Sequence, residues 1–530
     1  MKNISLLLLI IIFIGSSCSK NFLDESPKGK LMVDGFFRTG NDLEMGVTAM
    51  YNQLHAIGGS DHEMWIPFQG ADDLASNKSQ PQYSGDVFNL SNVEGDLTRT
   101  WTIIYGMVTS SNFVINGYSL ATEATEEQRK LAAGQAYFMR AFAYFNATRF
   151  YGCVPLITTN PIDLKSNKST PEAVYALVIE DLKKAETMLP DKWTNDAISK
   201  LQRPTAGLAK ALLASAYLHR AGWPVNGGIA DYALAAAKAK EVVDGSSEPG
   251  GSGLYTYRLL ENYKDLWVDK QTNDELMFGT FYDGRVGSER NVRAPLFGAP
   301  SEEGGWDVYF SEINFFKAFP AGPRKDATFQ TYARKSSDNG VHVDTIPWEN
   351  FSTHHPYYHK MRSTNGKGDG SPTPIDIAPW SAEANMYVDG DRTTVIMRYA
   401  EVMLIYAEAQ AMADGGPNAD AYNQLNRVRA RAGLNPLSGL SQIAFRDSVV
   451  AERGWEFAGP EFGQRWFDLV RLELVESANG VGSNPIRTRD SREAPFINVP
   501  SKARYFTPIP NKEVNLDPNL APGVAPVNPQ

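Results

Sequence analysis

Residues 398–409 read RYAEVMLIYAEA, with Tyr-Ala-Glu at 399–401 and again at 406–408. Seven residues are close to two α-helical turns. Tyr399 and Tyr406 therefore fall on one side of a helix and Glu401 and Glu408 on another, with a drift of only about 20°. Val402, Met403, Leu404, Ile405, Ala407 and Ala409 fill most of the rest, and a helix apolar nearly all round is a buried one. A coiled coil needs three or four successive heptads. Here Asp414-Gly415-Gly416-Pro417 ends the pattern, so a short helix packed between neighbours is expected. Residues 136–147, AYFMRAFAYFNA, show the same return, with Ala-Tyr-Phe at 136–138 and 143–145. Alanines let helix backbones approach and rings fill the space beside them, which is how stacked helical repeats pack.

Other segments carry the same signature. The spacing predicts helices from Thr39 to His55 and from about Leu97 past Val108. Thr125-Glu126-Glu127-Gln128 is a capping box that starts the helix ending near Tyr151. Thr170-Pro171 is an N-cap followed by proline at the first helical position, opening a helix that ends at Leu189-Pro190. Residues 205–220 and 231–243 are an alanine-rich pair. Leu213, Ala214 and Tyr217 have the spacing of the first helix of a tetratricopeptide repeat, and Ala235, Ala239 and Val242 that of its second. Ala185 and Pro190 match the closing positions of that repeat, and the helix at 398–413 pairs in the same way with Ala421, Leu425 and Val428. Further helices are expected at about 442–457 and from Arg465 to Leu474. The chain thus reads as mainly α, a tetratricopeptide-like α-α superhelix with a large loop-rich inserted lobe.

The lobe is residues 245–397, rich in Gly, Pro, Asn and Asp and carrying Trp267, Trp306, Trp348 and Trp380. Within it only Ser311–Phe319 reads as helical. The expected organisation is a signal peptide at 1–18, a tether at 19–38, an N-terminal helical part at 39–244, the lobe at 245–397 and a C-terminal part at 398–530. The tail from residue 508, with six prolines, is expected to be extended. Lys2 and the apolar run 4–14 are too short to span a bilayer as a helix, and Gly15-Ser16-Ser17-Cys18 follows. This is a secretory signal whose Cys18 is the expected site of lipidation and membrane anchoring. The other cysteine, Cys153, is then left without a disulfide partner and is expected to be buried and inert. A net charge of −10 argues against nucleic acid as a partner.

Aromatic residues make up 11 % of the chain. Flat rings on loops, beside amides and carboxylates, suit the apolar faces and hydroxyls of sugars. The loop at 58–96 offers Trp65 with Gln69 and Asp72-Asp73, and then Tyr83. The lobe offers Trp306, Asp307 and Tyr309 after Gly304-Gly305, with Trp380 and Trp348 as further candidates. The charged set Glu452, Arg453, Glu456, Arg465, Asp468 and Arg471 lies among Trp455, Phe457, Trp466, Phe467 and Leu469. Charges so placed read as paired and structural rather than as a glycosidase pair, and Glu401 and Glu408 read likewise. His354, His355 and His359 lack the converging ligands of a zinc site, so no metal is expected. No phosphate loop, dinucleotide fingerprint or nucleophile elbow is present, and no cofactor is expected.

Four stretches carry a resemblance: Ala136–Pro155 (AYFMRAFAYFNATRFYGCVP), Arg398–Gln410 with Leu425–Leu434 (LNRVRARAGL), Glu452–Arg471 (ERGWEFAGPEFGQRWFDLVR) and Tyr505–Asn511 (YFTPIPN), together with the start Cys18-Ser19-Lys20-Asn21-Phe22-Leu23-Asp24. In these the chain resembles the SusD/RagB family of outer-membrane nutrient-binding lipoproteins. It departs near the end, where Leu520-Ala521-Pro522-Gly523-Val524 replaces an Asn-Pro-Gly-aromatic signature. The resemblance implies about four tetratricopeptide-like helix pairs and a ligand site built from the two aromatic loop regions. It also implies capture of a glycan, or a peptide, at the cell surface for a SusC-like TonB-dependent transporter barrel, without catalysis. Two other readings stand beside it: a surface glycoside hydrolase using Asp72 or Asp73, and a tetratricopeptide-type scaffold that only joins proteins.

Overall fold

The computed structural model describes residues 33–59, 70–93, 95–159, 165–193, 203–267, 272–282, 294–303, 305–337, 342–362, 393–459, 461–462 and 464–527. The signal peptide with Cys18, together with Trp65, Gln69 and Trp380, lies outside them. Among the described residues no helix is long and apolar enough to cross a membrane.

The frame is a run of helices: α1 (Gly40–Gly59), α2 (Gly95–Gly117), α3 (Glu126–Tyr151), α4 (Pro171–Met188), α5 (Ala206–Ala221) and α6 (Gly228–Gly245), then, after the lobe, α7 (Tyr399–Ala413), α8 (Ala419–Arg431), α9 (Gln442–Glu456) and α10 (Gln464–Arg471). Consecutive helices pair, α1 with α2, α3 with α4, α5 with α6 and α7 with α8. Each pair also leans on the next, through α2 and α3, α4 and α5, and α6 and α7. That is the stacked-repeat arrangement the seven-residue returns predict. In α3 every residue from Ala132 to Tyr151 is buried, and in α7 every residue from Tyr399 to Ala411. Such helices gain stability from packing on all sides.

Local chemistry sets the boundaries. Thr125 and Gln128 form the reciprocal capping box, at 3.1 and 2.9 Å. Thr170 caps α4 through the Ala173 amide, with Pro171 in the first turn. Gly152 ends α3 at φ +72°, a backbone conformation open to glycine, and its amide returns to the Thr148 carbonyl. α10 stops at Arg471, short of the expected Leu474, where Glu473 turns to φ +56°.

The lobe holds more regular structure than its composition suggests. The helix Ile313–Ala318 is capped by the Glu312 carboxylate on the Phe315 amide at 2.6 Å, and a second helix, Pro323–Thr328, opens on a proline. β1 (Leu74–Ser76), β2 (Leu276–Thr280), β3 (Tyr309–Ser311), β4 (Tyr332–Ser337), β5 (His342–Pro347) and β6 (Thr394–Arg398) form two-stranded antiparallel ladders, β1 with β3, β2 with β6 and β4 with β5. The β2–β6 ladder joins the entry and exit of the lobe at one place and runs straight into α7. A second, smaller core, built from Phe310, Ile313, Ala333, Trp348, Phe351 and Tyr357 of the lobe with Ala75 of β1, lies within the lobe. The tail is not wholly extended. Pro510 fixes the residue before a helical turn at Asn511–Leu516, and Asp517 accepts the Asn519 amide to start another at Pro518–Leu520.

Candidate functional site

The site grows from β1 and β3. Leu74 faces Ser311 and Ser76 faces Tyr309, and the Asn77 amide continues the ladder to the Val308 carbonyl at 3.1 Å. The chain then turns. The Asn77 side chain accepts from the Ser79 amide and hydroxyl, each at 3.0 Å. Gln80 donates through Nε2 to the carbonyl of Trp306 at 3.3 Å, and one turn later comes Tyr83, opening the short helix Tyr83–Asp86. The first loop and the lobe therefore meet, through residues 226 apart in sequence, on one ridge carrying Tyr83, Gln80 and Trp306.

Both ends of the ridge are anchored. Asp86 is held by Arg489 through two bonds at 2.9 Å and accepts the Ser76 amide at 3.1 Å. On the other side Gly305 passes so close to Ala299 that a Cβ would lie 1.8 Å from its carbonyl oxygen. Asp307, at φ +51°, accepts from the Ser301 amide at 2.7 Å, the Ser352 hydroxyl at 2.9 Å and the Tyr357 phenol at 2.5 Å. That carboxylate shapes the turn presenting Trp306 and has little capacity left for a ligand. Tyr83 and Trp306 are both half-buried. The Trp306 side chain packs, partly buried, against the main core.

The other candidates divide. Asp72 is only 3 % exposed and is bound by Arg465 at 2.6 and 2.8 Å and by Arg487. Burial opposes its ionisation, yet the two guanidinium groups hold its carboxyl below the usual range. Asp73 is 1 % exposed. Burial and the charge of Asp72 push its carboxyl up to about 7. Tyr309 is sealed, its ring stacked on Phe297 at 4.5 Å, because the β1–β3 register turns it inward. These three side chains stand behind the ridge, in the interior. Trp348 is a core residue. Sequence reasoning missed Gln80, whose role depends on a partner 226 residues away. It also missed Tyr332, 51 % exposed on β4, in a strand that packs on the turn Ser301–Glu303 just before Trp306. Tyr332 is the most exposed aromatic among the described residues.

A model of the family described as "SusD family" matches residues 317–522, and one described as "Starch-binding associating with outer membrane" matches residues 21–218. Between them they take in more than half of the chain. The chain belongs to the SusD/RagB family. A SusD-like protein P2 of Formosa agariphila is 26 % identical over 98 % of this chain and 99 % of its own length. The solved surface glycan-binding protein A of Bacteroides uniformis and a solved laminarin-binding SusD-like protein share the fold. Each has a TM-score of 0.70 at 23 % identity, over 91 % of this chain and 98 % of the other.

In this SusD/RagB chain the charged residues of 452–471 are structural, and their pairings reach further than two adjacent helices. Arg453 meets Asp468 at 2.6 Å, and Arg471 meets both Asp468 and Glu408. Glu456 receives Arg398, Arg431 and Arg324, and Glu452 receives Arg324 and Arg429. Arg398 also binds Glu275 and Glu461, and Glu461 binds Lys360. This knot of buried charges fastens lobe residues Arg324 and Lys360 to the frame. Glu401 departs from the expected pairing. Among the described residues its side chain accepts only from Gln464 Nε2, at 3.1 Å. His355 hydrogen-bonds Glu493 at 2.9 Å.

Proposed function

We propose that the protein is a lipid-anchored outer-membrane protein that binds an oligosaccharide at the cell surface and passes it, uncut, to a SusC-like TonB-dependent transporter. The observation that carries this reading is the ridge. Two loop regions rich in rings meet at Trp306 and Tyr83, on an anchored backbone, with amide donors and acceptors alongside. A half-buried indole held in place stacks on a sugar face with little loss of side-chain entropy. Tyr332 joins the site as a third ring, and Trp65, Gln69 and Trp380 remain candidates. The family description that names starch and the outer membrane, and the glycan-binding names of similar solved structures, support the glycan-binding and membrane-associated parts of this reading.

Cleavage is disfavoured by the state of the carboxylates. Asp72 is doubly paired and Asp73 is sealed, whereas a glycosidase needs two carboxyl groups flanking an accessible bond. Titration calorimetry of the full chain against glycans first picked out on an array tests the reading. Trp306→Ala and Tyr83→Ala should each lower affinity by roughly tenfold, and no reducing ends should accumulate. Release of reducing ends would establish the hydrolase instead. Stable capture of a transporter barrel with no glycan or peptide bound would establish the scaffold.

A further inference from the structure

The C-terminal tail encloses, against the helical frame, a cavity of about 390 Å³, the size of a small-ligand pocket. Its inner wall is aromatic and fixed: Tyr151, Trp466 and Tyr505 are all nearly sealed. Phe506 completes the wall, its far face stacked on Trp223 at 4.9 Å. Exposed Ala503 and Pro522 stand at the mouth. Among the described residues two charged side chains line this space, Lys168 and Arg504, and both are cations.

Lys168 is the unusual one. It is 8 % exposed, and its ammonium, with three donors to satisfy, gives one hydrogen bond, to the Ala521 carbonyl at 2.8 Å. Among the described residues it has no carboxylate within ion-pairing distance, although the chain carries an excess of ten negative charges. Other buried cations here are compensated. Lys360 meets Glu461. Arg149 lies between the rings of Phe145 and Phe467, at 3.9 and 3.8 Å. A buried charge without a counterion is unfavourable, and an anion in the cavity would supply one.

We propose that this cavity is a second binding site that takes a small acidic sugar. Its anionic group meets Lys168 and Arg504, and its ring lies along Tyr151, Trp466 and Phe506. The preference for an anion follows from the cavity itself, while the choice of a sugar rests on the glycan-binding reading above. Titration calorimetry of the full chain with glucuronate and with glucose tests it. Glucuronate should bind and glucose should bind at least tenfold more weakly. Lys168→Met and Arg504→Gln should each weaken glucuronate by roughly tenfold or more, and Trp306→Ala should leave it unchanged. Because Lys168 also ties down the tail, Arg504→Gln is the decisive variant, with a melting curve to show that it folds. The proposal falls if glucuronate does not bind, if Arg504→Gln binds it as well as the parent, or if Trp306→Ala abolishes binding. In each of these cases a neutral glycan can still bind at Trp306 and Tyr83, so the first site is judged separately.

Discussion

Glu456 and Glu401 are both sealed inside the helical frame, 0 and 3 % exposed, and they are driven in opposite directions. Burial opposes ionisation at both. At Glu456 the guanidinium groups of Arg431, Arg398 and Arg324 outweigh it and pull the carboxyl down to about 2. At Glu401 burial prevails over the more distant Arg453 and Arg149 and pushes the carboxyl up to about 7. The two regions show that a charged residue in a buried helix is not one kind of object. Around residue 456 ionised groups clamp the lobe to the frame. Around residue 401 a carboxyl sits among Phe138, Phe142 and Phe145, met by a neutral amide. Neither region offers an open site, so the acidic richness of this stretch is architectural.

The largest effect is expected at the clamp. Glu456→Gln removes one of the carboxylates that each of Arg324, Arg398 and Arg431 is paired with and should destabilise the protein by about 3 kcal/mol, read as a fall in the urea midpoint at pH 7. The folded carboxyl titrates below its ordinary value of 4.5. The stability it contributes is therefore present above pH 4.5 and lost as pH falls towards 2. An unchanged midpoint in the variant would show that the clamp is not made of ion pairs.

Glu401→Gln should do the reverse. The folded carboxyl holds its proton up to about pH 7, so its favourable neutral form contributes fully below pH 4.5. That contribution is lost as pH rises through 7. A permanently neutral amide removes the loss. The variant should match the parent at pH 4.5 and exceed it by roughly 1–3 kcal/mol at pH 8. Equal urea midpoints for the two proteins at pH 8 would overturn the contrast with Glu456.

The frame was legible because its signals are local. The seven-residue returns, the Thr125 and Thr170 caps and the stop at Gly152 need no knowledge of distant residues. The lobe was not legible, because its strands are short and pair across long separations. Nothing in Leu74-Ala75-Ser76 announces a partner at 309–311. The same cause misplaced two site residues. Asp72 reads as a loop carboxylate until Arg465, 393 residues away, is seen to bind it. Tyr309 reads as a loop ring until strand register turns it inward. Cys153 reads as buried and is only half-buried, since it opens onto the cavity beside Lys168. The charged set of 452–471 reads as structural from its apolar neighbours alone, but nothing local points to its partners in the lobe, Arg324 and Lys360.

The smallest effect on stability, and the sharpest on function, is expected at Trp306. Its indole is only partly buried against the core, so truncation removes part of the burial that a sealed tryptophan would lose. Trp306→Ala should cost roughly 1–2 kcal/mol, below the 3–5 kcal/mol typical of full aromatic truncation. Its backbone carbonyl keeps the Gln80 bond and Asp307 keeps its three donors, so the ridge should persist without the ring. Glycan affinity should nonetheless fall by roughly tenfold. In Glu456→Gln, assayed where it remains folded, affinity should be retained, because the Glu456 carboxylate is sealed inside the frame. If the two variants behave alike, losing stability and affinity in the same proportion, then the ridge is simply another part of the frame and the rings of the lobe do not form a site.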